Sequence, residues 1–459
     1  MSHKPDPNKN VNLTIDGKPV TVPEGTRILE AAKTVDINIP VLCEHPDLCR
    51  RALCRICVVE CDGRGKLIAA CANDVWEGVN IVTINKRLVN IRKTIIEMIL
   101  ANHPNDCLKC IRNINCELQS LAANYGIVSS SFENEAEKNP PVIGNETIVH
   151  DTNKCVKCGR CVEACQEVQT IRAINTAHRS HEFDVCTAYN QPLKDVSCVF
   201  CGYCASVCPV GSIYEHDQTS EVQAAINNSK IKVIAQFSPS IISALENELN
   251  RAITAGKLTA ALKLTGFDMV YNTEITADTV NAKIINEIDM RKKANERNIP
   301  LISGCSEGVS RFINIFYPDL KDHLGGIKTA RKQFAVFKKE YAKNAGVNPQ
   351  DVISVSFVSC LAQKYTEDQD KTDFALTVNE LARMIKLSGI MIETLTEEQF
   401  DSLSCGLPKQ DFTGKKITIS GYGEARKAME TIQKGEIASG GYGGADWIEI
   451  SSCPKSNCR

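Results

Sequence analysis

The chain has 459 residues, 53 basic against 55 acidic, for a formal net charge of −2, so no global charge recruits nucleic acid or an anionic membrane. Hydrophobic residues make up 43% of it, enough to build cores across roughly three domains at about 150 residues each. No stretch approaches the ~18 uninterrupted apolar residues of a membrane span, and the polar start, Met1 to Asn10, does not read as a signal peptide. Twenty-three cysteines in a chain of this length are not a disulfide framework, because it has no need of staples. They read as soft metal ligands in a reducing cytoplasm.

Eighteen of those cysteines fall between Cys43 and Cys208 and five follow, which divides the chain into a metal-dense and a metal-poor half. Residues 11 to 22 alternate polar and apolar around Asp16-Gly17 and predict a hairpin. A helix is expected over 26 to 35, with Ala31 and Ala32 on its packing face, then a second hairpin over 58 to 70 turning at Asp62-Gly63. Residues 86 to 101 have helical spacing, and 127 to 146, with Pro140-Pro141, read as a linker. From Lys230 the texture becomes α/β. Strands are expected at 232–237, 269–271, 353–358 and 416–420, and helices at 240–253, 276–295, 308–316, 376–387 and 423–434, implying a largely parallel sheet covered on both faces.

Four cysteine constellations carry the chemistry. Cys43, Cys54, Cys57 and Cys71 are spaced C-x10-C-x2-C-x13-C inside the hairpin-and-helix unit, which suits a 2Fe-2S cluster wrapped by a loop, although the first gap exceeds the plant-type one. Cys49 and Cys61 nearby are read as structural thiols. His103, Cys107, Cys110 and Cys116 form His-x3-Cys-x2-Cys-x5-Cys, a 4Fe-4S set in which one imidazole replaces a thiolate and raises the cluster's potential. The repeat Cys-x2-Cys-x2-Cys-x3-Cys occurs at 155–165 and 198–208. In two-cluster ferredoxins the fourth cysteine of each run serves the other cluster. One 4Fe-4S cluster is therefore assigned to Cys155, Cys158, Cys161 and Cys208, and its neighbour to Cys165, Cys198, Cys201 and Cys204. A third cysteine inside the loop argues against zinc.

In this order the motifs over residues 11–220 resemble the N-terminal part shared by the large iron–sulfur subunit of respiratory complex I and the catalytic subunit of iron-only hydrogenases. The later chain resembles the hydrogenase: Phe237-Ser-Pro-Ser240, Phe267 to Thr273, Ile302-Ser-Gly-Cys305 with Phe312 and Tyr317-Pro-Asp-Leu, Val358-Ser-Cys360-Leu-Ala-Gln-Lys, and Ser451-Ser-Cys453-Pro-Lys-Ser-Asn-Cys458 match its successive motifs. The resemblance implies a multidomain α+β and α/β architecture. Its parts are a β-grasp 2Fe-2S ferredoxin at 1–84, a helical one-His/three-Cys domain at 85–126, a bacterial-type ferredoxin with two 4Fe-4S clusters at 147–220, and a truncated, degenerate iron-only hydrogenase-like α/β domain at 230–459.

It also implies that Cys305, Cys360, Cys453 and Cys458 hold a C-terminal 4Fe-4S cluster. The rest of the hydrogenase pocket is lost. Gly304 stands where the family has its proton-relay cysteine, Gln363 where it has the cyanide-binding lysine, and Val358 and Ser451 where it has flanking methionines; the last cysteine pair is displaced, and the family's glycine-rich tail is not expected after it. No diiron H-subcluster is expected. Cys405 matches no motif and is read as structural, the role of Cys186 stays open, and Gly440-Gly-Tyr-Gly-Gly reads as a turn presenting the terminal cysteines. Ser420-Gly-Tyr-Gly lacks the third glycine of a dinucleotide fingerprint, Arg426 standing there instead.

Similarity to the Stn-type electron-bifurcating transhydrogenases implies an electron-transfer subunit of a cytoplasmic complex. Its partners would be a flavin-containing NAD(P)H-binding subunit, a small 2Fe-2S subunit and soluble ferredoxin, with no nucleic acid and no membrane. The alternatives are a working iron-only hydrogenase with an unusual pocket and a redox or hydrogen sensor.

Overall fold

The structure is a computed structural model that describes residues 6, 8–61, 66–132, 142–143, 147–294, 300–326, 329–366, 372–401, 410–434, 442 and 444–454. Strands β1 (Asn10–Ile15) and β2 (Lys18–Pro23) form the expected hairpin. Its turn places Asp16 at φ 48° and Gly17 at φ 78°, the left-handed pair that matches strand twist. Strands β3 (Val58–Cys61), β4 (Lys66–Ala69) and β5 (Asn80–Val82) complete a five-stranded sheet in the order β2-β1-β5-β3-β4, with β1 and β5 parallel. The second hairpin's tip at Asp62-Gly63 lies outside the described residues. Helix Ile28–Lys33 crosses the sheet, and its Ile28, Leu29, Ala31 and Ala32 share one core with Val11, Leu13 and Ile15.

Helix Lys86–Ala101 matches its expected bounds and is capped by the Asn85 side chain. Strand β6 (Val142–Ile143) falls inside the stretch read as a linker and pairs antiparallel with β7 (Ile148–His150). Strands β8 (Asn175–Ala177) and β9 (Asp184–Cys186) pair with each other, and β10 (Ile213–Glu215) pairs with β7.

The C-terminal half departs from a single sheet. Strands β11 (Lys232–Phe237), β12 (Met269–Asn272), β13 (Leu301–Gly304), β14 (Val352–Val358), β15 (Phe374–Thr377), β16 (Lys416–Ser420) and β17 (Trp447–Ser451) divide into two parallel sheets, ordered β12-β11-β14-β15 and β13-β17-β16. Strands β13, β15 and β17 and helices Ala255–Thr265 and Ala330–Ala345 are absent from the sequence reading. Runs of four or five residues are too short for a period to settle, so β12 and β16 are read correctly while β13, β15 and β17, of the same length, are not. Helix Val378–Ser388 begins with a reciprocal capping box between Thr377 and Glu380.

Candidate metal centres

Cys43, Cys54 and Cys57 lie on the loop between the crossing helix and β3, and Cys71 follows β4. Their thiols hydrogen-bond to one another. The Cys54 and Cys71 thiols donate to Cys43 and hold it down to about 2, and Cys71 holds Cys57 down to about 7. Cys54 and Cys71 are pushed up in return, both first by their contact with Cys43. Four crowded sulfurs that must share protons form a donor set in which bound iron takes the protons' place. Cys61 packs into the core of the five-stranded sheet and Cys49 is exposed.

In the second constellation Cys107 opens a short turn and Cys116 precedes helix Glu117–Asn124. Burial raises Cys116, and the charges of Cys110 and Cys107 reach it. His103 is pushed below its ordinary value by desolvation, which keeps the imidazole neutral, and its buried Nδ1 has no hydrogen-bond partner among the described residues. A neutral ring with an unused nitrogen, four residues before Cys107, fits a metal ligand. The chain after Cys208 closes this site: a Cβ on Gly211 would lie 2.7 Å from the Cys110 sulfur.

The two ferredoxin repeats have matching backbones. Left-handed residues stand at Lys157 and Gly159 (φ 54° and 77°) and at Phe200 and Gly202 (φ 53° and 75°), flanking the second cysteine of each run. Cys161 lies within electrostatic reach of Cys155, Cys158 and Cys208, and Cys204 within reach of Cys201, Cys198 and Cys165. The two sets adjoin, since Cys204 also reaches Cys161 and Cys208 also reaches Cys204. Cys155, Cys158, Cys161 and Cys208 line one small cavity, and Cys165, Cys198, Cys201 and Cys204 line another. Among the described residues no three His, Cys, Asp or Glu side chains close on a single ion; the thiols surround these spaces instead. Burial pushes Cys155 up to about 11 and Cys158 and Cys198 up to about 12, so thiolates here need a cation to stabilise them.

Further on, Cys305 follows β13, Cys360 follows β14 and Cys453 follows β17, all at the C-terminal ends of parallel strands, where α/β sheets open their crevices. The Ser452 amide donates to the Cys305 sulfur at 3.4 Å. Tyr422 lies within electrostatic reach of Cys305, Cys360 and Cys201, and Tyr203 within reach of Cys453 and Cys201. These three cysteines therefore gather beside the second ferredoxin site. Cys458 and Cys405 lie outside the described residues, as does most of Gly440-Gly-Tyr-Gly-Gly.

Next to Cys305, the position of Gly304 is closed. A Cβ on Gly304 would come within 2.4 Å of two Val309 side-chain atoms, so that position has no room for a side chain. Gln363 accepts from the Ser359 hydroxyl at 3.5 Å. Its neighbour Lys364 is the one lysine close in sequence, but its ammonium is buried and bound to both Glu380 oxygens at 2.8 Å and to the His216 carbonyl at 2.7 Å.

Sequence reasoning missed the residues that join the domains. Gln169, fully buried, donates to the Ser452 carbonyl at 2.8 Å and accepts from the Tyr422 amide at 2.9 Å. A Cβ on Gly423 would lie 2.6 Å from the Val168 carbonyl, so the glycine-rich start of helix Tyr422–Gln433 is taken up by the ferredoxin loop. Arg311 donates to the carbonyls of Cys198, Lys194 and Val196, and Phe200 stacks on Tyr365 at 4.2 Å. No local pattern announces these contacts.

The fold and its cysteine sites define an iron–sulfur protein of the hydrogenase-like class, and the comparisons agree. The "Iron only hydrogenase large subunit, C-terminal domain" matches residues 231–410 and a "2Fe-2S iron-sulfur cluster binding domain" residues 8–86. The iron–sulfur binding region of NADH-ubiquinone oxidoreductase G matches 92–131, and the ferredoxin-like domain of NADH-quinone oxidoreductase subunit 3 matches 145–214. The chain belongs to the iron-only hydrogenase large-subunit family. It is 35% identical over 414 residues to the NADP-reducing hydrogenase subunit HndD of Solidesulfovibrio fructosivorans, covering 85% of this chain and 71% of that one. Iron hydrogenase 1 of Clostridium pasteurianum is 28% identical over 405 residues, covering 85% and 70%. The NADPH-Fe(3+) oxidoreductase subunit alpha of Geobacter sulfurreducens is 34% identical over 203 residues, which is 44% of this chain and 24% of that protein. The chain is thus an electron-transfer subunit with 2Fe-2S and 4Fe-4S binding domains. Among the described residues no helix is long and apolar enough to cross a membrane.

Proposed function

We propose that this chain carries electrons through five clusters without hydrogen chemistry, as the hydrogenase-like subunit of a flavin-based, electron-bifurcating NAD(P)/ferredoxin oxidoreductase of the transhydrogenase type. The 2Fe-2S cluster is held by Cys43, Cys54, Cys57 and Cys71. The 4Fe-4S clusters are held by His103 with Cys107, Cys110 and Cys116, by the two exchanged ferredoxin sets, and by Cys305, Cys360, Cys453 and Cys458. Such clusters supply one-electron carriage. The chain's own residues supply continuity: the first ferredoxin set adjoins the second, and Tyr422 and Tyr203 span from the second to the C-terminal cysteines.

The observation that carries the absence of hydrogen chemistry is the closed space at Gly304. A proton-relay side chain has no room beside Val309, and Lys364, locked to Glu380, has no ammonium to offer in place of Gln363. Without a flavin of its own, the chain relies on a flavin-containing NAD(P)H-binding subunit, with a small 2Fe-2S subunit and soluble ferredoxin as further partners in the cytoplasm. Infrared spectroscopy of anaerobically purified protein, produced with the hydrogenase maturation machinery, tests this. The expected spectrum has no CO or CN stretching bands; their presence, with hydrogen evolution from a reduced dye, would make the chain a working hydrogenase.

A further inference from the structure

Arg160 sits between Cys158 and Cys161 of the first ferredoxin loop and is 4% exposed. Its guanidinium donates to both Glu117 carboxylate oxygens at 2.6 and 2.8 Å, to the Glu44 carbonyl at 2.8 Å and to the Val207 carbonyl at 3.4 Å. Glu44 follows Cys43, Glu117 follows Cys116 and Val207 precedes Cys208. One side chain therefore ties together the loops of three cysteine sites. Beside it, Arg51 pairs with Glu163, binding the 2Fe-2S loop to the same ferredoxin turn.

Two features exceed what a structural rivet needs. The Arg160 Nε is buried and has no hydrogen-bond partner among the described residues, and a buried donor left over in a folded protein calls for an explanation. The guanidinium also lies within electrostatic reach of the Cys43 and Cys158 sulfurs, which belong to different sites. Its carboxylate partner Glu117 is 47% exposed, so water screens part of that charge, while the guanidinium is dry; Glu117 therefore offsets only part of the positive charge that Arg160 brings to the junction.

We propose that Arg160 is a positioning residue that serves as the shared counter-charge of two clusters, the one at Cys43, Cys54, Cys57 and Cys71 and the one at Cys155, Cys158, Cys161 and Cys208. This rests on the ligand sets proposed above. Each reduction adds one negative charge next to a fixed cation of low solvation, which favours the reduced state of both clusters. The planar fork is needed to reach Glu117, Glu44 and Val207 together, a geometry that a lysine cannot supply.

EPR-monitored redox titration of the full chain, purified anaerobically, tests the proposal. In Arg160→Gln the reduction equilibrium of both clusters should fall at least tenfold, 59 mV for a one-electron couple. The cluster at Cys165, Cys198, Cys201 and Cys204 should not move. Arg160→Lys keeps the charge and should restore most of the shift. Glu117→Gln leaves Arg160 in place and removes its partner's charge, so both potentials should rise; it decides the matter if Arg160→Gln does not hold its clusters. Unmoved potentials in a fully iron-loaded Arg160→Gln, or in Glu117→Gln, would reduce Arg160 to a rivet. Iron analysis of Cys158→Ala separates the two readings: if that variant keeps all its iron, the ligand assignment fails, independently of Arg160.

Discussion

In the ferredoxin region, Cys155, Cys158 and Cys161 are presented by one loop turned at Lys157 and Gly159, and the second repeat copies that turn at Phe200 and Gly202. In the C-terminal half, Cys305, Cys360 and Cys453 stand at the ends of three strands in two sheets and meet only because those sheets are packed together. The first arrangement carries three of its four cysteines on one turn, so most of its geometry is local. The second borrows its geometry from the whole domain. Its scaffold can persist while the space around the cysteines is refilled, as Val309 does opposite Gly304 and Glu380 does around Lys364.

The largest expected effect tests whether the gathered C-terminal cysteines hold a cluster at all. Cys360→Ala should lose one 4Fe-4S cluster's iron and EPR signal while every cluster before residue 210 remains; unchanged iron per chain would leave the C-terminal half a scaffold. Next is the buried ion pair. Lys364→Ala leaves the Glu380 carboxylate buried without its cation, a loss of about 3–5 kcal/mol read by denaturant unfolding. Replacing both partners, Lys364→Met with Glu380→Leu, should cost much less.

A smaller effect is expected at the refilled pocket. Gly304→Ala should destabilise the domain by about 1–3 kcal/mol through overpacking, and Val309→Ala added to it should recover part of that loss. A neutral Gly304→Ala in the thermal melt would mean that the space is open, and would weaken the case against hydrogen chemistry. The smallest change sharpens the other side of the comparison: His103→Cys should retain its cluster and lower its potential, because a thiolate adds negative charge at the iron. A redox titration that does not shift would remove His103 from the ligand set.

The cysteine loops were legible in the sequence because three ligands on a tight turn need fixed short spacings, and the left-handed positions beside them sit within the same few residues. The hairpin at Asp16-Gly17 and helix Lys86–Ala101 were legible for the same reason, since turn chemistry and helical period are local. Strands β13, β15 and β17 were not, although two of them carry Cys305 and Cys453 to their places: at four or five residues a run shows no decisive period, and β12 and β16, equally short, were read where these were missed. The division into two parallel sheets was hidden as well, because strand partners are chosen by packing. Sequence could report that the relay cysteine is a glycine, but only tertiary structure decided that Val309 closes the space, that Lys364 belongs to Glu380, and that Arg160 and Gln169 join the domains. Motifs record what a loop must supply, whereas the filling of a pocket depends on residues brought together from far along the chain.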